Sequence, residues 1–288
     1  SLLSTQVTTS FVNQFSANVQ MLSQQMGSLL RSAVDTETVN GEKAFFDQVG
    51  SAAAVLRTSR HSDTPIIDTP HSRRQVVLSD YEYADLIDSA DRVRLLIDPT
   101  STYARAAAAA MGRAMDDVII AALYGDAKTG KDGSTTTSFT AANKIAHGSA
   151  GLTIAKLVNA KQILDAGNVD PSIPRYIVCS PKQISDLLNN TTVTSADYNT
   201  VRALSQGVIS DFVGFKFIVS NRLPVDTNSD RRVFCWSHDG MKLAVGKEPT
   251  AKISERSDKS YSTQVYYCQS VGATRMEEAK VVEIACSE

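Results

Sequence analysis

The 288-residue chain has no Cys-x-x-Cys pair, no stretch of 18 apolar residues and no excess of charge of either sign. Its four cysteines, Cys179, Cys235, Cys268 and Cys286, lie far apart. They read as small buried hydrophobes in a reducing compartment, not as a disulfide framework. No segment is apolar for long enough to cross a bilayer as a helix. Twenty-nine Lys+Arg balance thirty-one Asp+Glu, a formal charge of -2. A protein whose main task is gripping nucleic acid normally shows a basic surplus instead. With 42% hydrophobic residues the chain exceeds what disorder allows, and its length suits one large domain or two modest ones.

Catalytic signatures are also missing. Gly125–Asp132 nearly matches a phosphate-binding loop, but a helix precedes it, a Gly/Ser/Thr-rich stretch follows, and Asp132 stands where a hydroxyl should hold Mg²⁺. Cys235 and His238 have zinc-like spacing without a second ligand pair, so they read as a strand cysteine and a turn histidine. His61, His71 and His147 sit singly in loops. Neighbouring acids such as Asp116 and Asp117 carry no acid–base signal among thirty-one carboxylates. The expectation is a protein that is no enzyme and needs no cofactor or metal.

The first thirty residues carry no charge, and Arg31 is the first ionisable side chain. There is no basic start or compact apolar run of the kind a secretory signal requires. Val12, Phe15, Val19, Leu22, Met26 and Leu29 are spaced by three and four, which predicts one apolar face of a helix of about five turns. That face could dock on its own domain, lie as an arm across a neighbouring subunit, or form a short coiled coil.

From Gly50 to Val93 the pattern shifts to strands, with Val55–Thr58 and Gln75–Leu78 as partners, a polar tip around His61–His71, and period-two alternation in Asp80–Tyr83. Arg57, Arg60, Arg73, Arg74, Arg92 and Arg94 crowd this segment beside acids that include Asp80 and Glu82. A two-stranded ribbon is marginal alone in water, so it is expected to find support outside its own domain.

Asp98-Pro99 opens the clearest helix, with an N-cap and a first-turn proline, running to Tyr124 and stopped by Gly125. Arg105, Arg113, Asp116 and Asp117 form its one polar stripe, so it should be buried on several sides. Gly125–Gly151 reads as loop. Thr153 caps a helix to Ala166, Ser180-Pro181 starts another through Leu188, and Thr191–Thr200 reads as a polar loop. Strands are expected at Arg175–Cys179, Gly214–Ser220, Val233–Trp236, Met241–Val245, Gln264–Ser270 and Lys280–Ala285. Helices and strands mix without βαβ alternation, which is α+β.

This order of parts resembles a tailed-phage major capsid protein of the Hong Kong 97 fold. Arg73–Asp88 leading into Asp98-Pro99 is similar to the loop-to-helix junction of these coats, Asp211–Pro224 resembles a strand leaving their axial domain, and Gly240–Gly246 resembles their return strand. The resemblance implies an N-terminal arm and lead-in segment over 1–49 and an extended loop over 50–97. It further implies a spine helix with the first part of a peripheral domain over 98–150, an axial domain over 151–237, and the rest of the peripheral domain over 238–288. The implied function is structural. Copies would join as hexamers and pentamers into an icosahedral head around packaged double-stranded DNA, touched weakly and non-specifically. Portal and scaffolding proteins, and on some shells a decoration protein, would be partners, with no membrane involved. No long scaffold-like segment precedes the arm, so scaffolding is expected from another protein or as a removed piece. The location would be the virion, assembled in the bacterial host cytoplasm. Inter-subunit contacts are expected from Arg57, Arg60, Arg73, Arg74, Arg92, Arg94, Asp80 and Glu82, and from the six apolar residues of the arm. The rival within the same fold is an encapsulin-type nanocompartment shell. Rivals of other classes are a nucleotide-dependent enzyme and a helical adhesion or tail protein.

Some members of the resembled family weld subunits through a lysine of the extended loop. Between Lys43 and Lys128 this chain has no lysine, and arginine stays protonated and cannot serve as the nucleophile. Boiled, reduced particles are therefore expected to run on a denaturing gel as one band near 31.1 kDa. A ladder surviving reductant would refute a purely non-covalent shell.

Overall fold

The computed structural model describes residues 24–61, 63–87, 100–189 and 211–288. The residues Val12, Phe15, Val19 and Leu22 of the expected arm helix, the Asp98-Pro99 start, Arg92, Arg94 and the loop over 191–200 lie outside them. Of the expected arm helix only its end is described, and 24–29 is not helical there.

Among the described residues, three sheets and three α-helices make the architecture. A central six-stranded sheet has the order β7-β14-β11-β8-β10-β9. Its strands are β7 (Lys144–Ile145), β8 (Arg175–Cys179), β9 (Asp211–Phe212), β10 (Phe215–Val219), β11 (Arg231–Ser237) and β14 (Val281–Cys286). Adjacent residues of β11 serve different cores. Phe234 and Trp236 face one layer, and Val233 and Cys235 the other. β8 repeats this, with Val178 on the first side and Ile177 and Cys179 on the second. Side chains alternate across a strand, so a sheet covered on both faces needs an unbroken apolar run, which is what these segments show. β7 and β14 come from outside 151–237, so this sheet draws on the chain on both sides of that range.

One face is covered by α2 (Ile154–Ala166) and α3 (Pro181–Leu188). Thr153 caps α2, its side chain accepting from the Lys156 backbone N–H at 3.4 Å. The Lys156 ammonium donates to the carbonyls of His147, Ala150, Gly151 and Ala285, tying the lead-in of α2 to β14. Burial pushes its pKa down. Cys179, Cys235 and Cys286 sit in this layer, and burial raises all three thiols, Cys179 and Cys286 to about 12. They remain protonated and act as hydrophobes, as expected.

The other face packs against α1 (Thr100–Tyr124), 25 residues or about 37 Å long. Met115, Ile119, Ile120 and Leu123 join Phe234, Trp236, Leu243 and Val271 in one core. A second sheet, order β1-β12-β13-β4, lies along α1. It is made of β1 (Asp35–Thr38), β4 (Ser79–Ile87), β12 (Met241–Arg256) and β13 (Ser262–Arg275). β12 is far longer than the five residues expected, because its distal half is polar and exposed and lacks an apolar signal, and β13 extends beyond the seven expected at both ends. A third sheet joins β2 (Lys43–Val49), β3 (His71–Val77), β5 (Ala127–Thr129) and β6 (Thr135–Thr137) in that order. Here the expected pairing is corrected. Residues 51–58 form no strand, and the partner of Gln75 is Phe45. β2 was missed because Lys43–Val49 alternates too weakly to stand out. Gly125–Asp132, read as loop, contains β5 and the start of the turn that joins it to β6, so no helix N-terminus faces it.

The C-terminus of α1 leaves carbonyls without helical donors, and Arg275 supplies them. Fully buried, its guanidinium donates to Ala122 and Leu123 carbonyls at 3.1 and 3.3 Å, to the Gly125 carbonyl, and to Glu278 at 3.0 Å. Replacing it with methionine (R275M) strands Glu278 and these carbonyls. The loss is expected to be about 3–5 kcal/mol, read as a lower denaturant midpoint of dissociated subunits. An unchanged midpoint would show that Arg275 only fills space.

Candidate assembly surfaces

An assembling subunit needs fixed points from which long segments leave its body, and surfaces that its own chain leaves uncovered. The first fixed point lies where residues 24–34 cross α1. The crossing is close: a Cβ on Gly112 would lie 2.3 Å from the Gly27 carbonyl carbon, and Gly27 itself has φ +76°. Only glycine fits such an approach at Gly112, and the left-handed backbone at Gly27 favours it too. One turn along, the fully buried Asp116 collects four donors. Its Oδ1 accepts from Ser28 Oγ at 2.5 Å and the Leu30 N–H at 3.1 Å; its Oδ2 accepts from Gln25 Nε2 at 2.5 Å and the Leu29 N–H at 3.0 Å. Arg113 holds the Gln24 side chain and the Gln25 carbonyl at 2.9 and 3.0 Å. Buried carboxylates persist only when saturated in this way.

Beyond the crossing, Leu30 and Ala33 are buried, and Trp236 Nε1 donates to the Ala33 carbonyl at 2.9 Å. Arg31 forms a two-pronged pair with Glu248, which raises its pKa. β1 then pairs in parallel with β12, and Lys242 bridges Asp35 and Glu37 at 3.1 and 2.6 Å. The lead-in segment is thus part of the subunit body. Met26 and Leu29 lie on its surface, 52% and 38% exposed. In the sequence Asp116 was read as one of four residues of a polar stripe and set aside as an acid–base residue, with no partner assigned to it. The usable signal was a carboxylate inside an otherwise apolar helix, opposite an uncharged segment rich in Ser and Gln.

The second surface is the loop over 50–70, closed at its base by the Gly50 N–H donating to the Pro70 carbonyl at 2.7 Å. Leu56 and Ile66 on it are 84% and 97% exposed. Its arginines divide into two kinds. Arg73 pairs with Asp47 across β2–β3 and lies over the Phe45 ring. Arg74 is buried, bonded to the Met276 carbonyl at 2.9 Å and facing Glu278 at 3.5 Å; burial lowers its pKa against the pull of Glu278. Expected at contacts between subunits, Arg73 and Arg74 have partners within their own subunit, Asp47, Met276 and Glu278, all of them outside 50–97. Arg57 and Arg60 remain exposed, and Arg57 donates to the Ser59 carbonyl. Asp80 and Glu82 stand on the open face of β4, Glu82 accepting from Tyr266 Oη at 2.8 Å.

A long, largely buried helix crossed by an N-terminal segment, a two-faced central sheet and an uncovered loop define a shell subunit of the Hong Kong 97 type. The structure resembles the capsid of the cyanophage P-SCSP1u with a TM-score of 0.75 at 17% identity, covering 98% of this chain and 94% of that one. It resembles the capsid of Ralstonia phage GP4 with a TM-score of 0.74 at 12% identity, covering 96% and 94%. The head of Helicobacter pylori bacteriophage KHP40 matches with a TM-score of 0.74 at 10% identity, covering 96% and 95%. No curated protein matches the sequence. The phage capsid protein family model matches residues 7–288, and the chain belongs to that family. It is a major capsid protein of the tailed-phage head, and the nanocompartment alternative is not favoured.

Asp116→Ala leaves two backbone N–H groups and the Ser28 hydroxyl without an acceptor at the crossing, and the Gln25 amide with the Gly27 carbonyl. The expected cost is about 2–4 kcal/mol, with residues 24–34 becoming open to limited proteolysis after Arg31. Asp117→Ala removes only the half-exposed pair with Arg222 and should change stability by less than about 1 kcal/mol. Equal sensitivity of the two variants would contradict the clamp.

Proposed function

We propose that this coat protein closes its head by weak, repeated contacts made from two fixed bases, the Asp116 crossing and the closed foot of the 50–70 loop. The observation that carries this reading is the loop itself. Large apolar side chains at 84% and 97% exposure on one segment are what a free monomer avoids and an interface uses. Weak contacts multiplied over many copies give closure while staying reversible enough to correct errors. The wall would consist of hexamers and pentamers enclosing double-stranded DNA. The near-neutral charge suits a wall that touches DNA without holding it against ejection.

In this reading the two-layered sheet with α2 and α3 corresponds to the axial part, and α1 with the β1-β12-β13-β4 sheet to the peripheral part. Residues 1–23 would serve as the arm, the face of Val12, Phe15, Val19 and Leu22 lying on protein. Arg92 and Arg94 would add contacts near the foot of the spine. Portal and scaffolding proteins would nucleate and shape the shell in the host cytoplasm, and a decoration protein could bind its outside.

Negative-stain electron microscopy of the expressed chain tests the reading, alone and with a co-expressed scaffolding protein from the same phage. Closed shells or curved sheets are expected. Discrete small particles under both conditions would overturn it.

A further inference from the structure

Three of the four cysteines are fully buried in the layer of α2 and α3, and Cys268 differs from them in place and company. It is 9% exposed, against 0% for Cys179, Cys235 and Cys286. It lies on β13, the strand between β12 and β4, opposite Thr250 on one side and Glu82 on the other. The next residue, Gln269, turns to α1 and donates from Nε2 to the Met111 carbonyl at 2.9 Å. Neighbours on a strand point to opposite faces, so the Cys268 thiol points away from α1. There the exposed Lys247 donates from its ammonium to Cys268 Sγ at 2.9 Å. This contact raises the Lys247 pKa, and the charges of Asp80 and Glu82 add to the rise. Glu82 is itself held by Tyr266, whose Oη donates to it at 2.8 Å. β12 is irregular here. Its pairing with β13 shifts between Val245 and Lys247, and again between Lys247 and Thr250.

We propose that Lys247 and Cys268 form an oxidative modification site, at which a peroxide joins the lysine nitrogen to the cysteine sulfur within one subunit. Reactive thiols are reached by solvent and stand beside a cation, and Cys268 is the one cysteine of the chain with both properties. In the first step the sulfur attacks one peroxide oxygen and the O–O bond breaks. The thiol proton leaves with the displaced hydroxide as water, and a sulfenic acid remains. The Lys247 ammonium then releases one proton to solvent, and the nitrogen attacks sulfur as the S–O bond breaks. The hydroxyl departs with a second hydrogen from nitrogen as water, which leaves an S–N bond. Sulfur has lost two electrons and the peroxide has gained them. Two thiol molecules reverse the link, returning hydrogen to sulfur and nitrogen and leaving as a disulfide. The bond ties β12 to β13 where their ladder is least regular. Cells keep thiols reduced, so the link forms once a particle has left its host. That timing rests on the shell reading above, and the chemistry does not.

The test reads the bond directly. The folded full-length chain is treated with dilute hydrogen peroxide, alkylated, unfolded without reductant and digested with trypsin. The expected product joins Leu243–Lys252 to Ser260–Arg275 at their summed mass less about 2 Da, and a thiol separates the two. Without peroxide, iodoacetamide should label Cys268 of the folded chain at least about tenfold faster than the other three cysteines. Lys247→Arg keeps a cation beside the sulfur but offers no amine, because a guanidinium stays protonated. It should abolish the linked peptide and leave Cys268 the fastest-labelled thiol. Circular dichroism checks folding, and the wild-type digest decides the matter even where the variant misfolds. Cys268 oxidised without a bond to Lys247, or left intact in the treated wild type, would overturn the proposal. So would the same loss of mass in K247R, which would mean closure on a backbone nitrogen. The digest is made on subunits, so failure of the chain to form shells strikes the shell reading and leaves this result standing.

Discussion

The end of a buried helix is a place where polar groups must be matched from outside, and at the end of α1 a single guanidinium does this while belonging to another layer. Arg275 is the last residue of β13, so capping α1 also sets where that strand stops along the helix. Its second amino group lies 3.4 Å from the Thr137 carbonyl of β6, and its carbon stands 5.2 Å over the Phe139 ring. Helix, long hairpin and small sheet therefore share one registration point. Asp116 is the counterpart of opposite sign, one gathering carbonyls and the other N–H groups. Between these two buried ions α1 places Ile119 and Ile120 in the core.

Close backbone crossings repeat elsewhere on this frame. A Cβ at Gly272 would lie 2.4 Å from the Val77 carbonyl oxygen, and one at Gly246 would lie 2.5 Å from Leu78 Cδ1. The turn from β3 into β4 thus runs directly over the β12–β13 pair where both strands are bare. This lets one continuous segment leave the small sheet and join the long one without a connecting loop. The base of the 50–70 loop and the strand β4 are consequently fixed to the same part of the body.

Elements buried on two sides were legible in the sequence. Arg175–Cys179 was read to the residue as a strand, and Val233–Trp236 fell inside β11. The starts of α2 and α3 were placed correctly; Thr153 caps α2, whereas the Ser180 hydroxyl turns to Glu288 and makes no cap on α3. Polar elements were not legible. The exposed end of β12 and the short β2, β5 and β6 carry little apolar alternation, and β5 is held against β3, far from it in sequence, which period or composition cannot show. The crossing on α1 failed for the same reason: Ser28 and Asp116 are 88 residues apart, so no spacing rule joins them. The arginine-rich segment was noticed as a group, but which arginines stay free depended on where Asp47, Glu278 and Met276 came to lie.

The alternation of β11 and β8 between two cores has a consequence for how fast such a sequence can drift. Each position must keep its side and approximate volume, and within those limits one apolar group can replace another. Exchanges such as Ile for Leu with repacking cost little in a core of this kind. Insertion of one residue would turn every following side chain into the wrong layer. Point substitution is cheap here and a shift of register is ruinous.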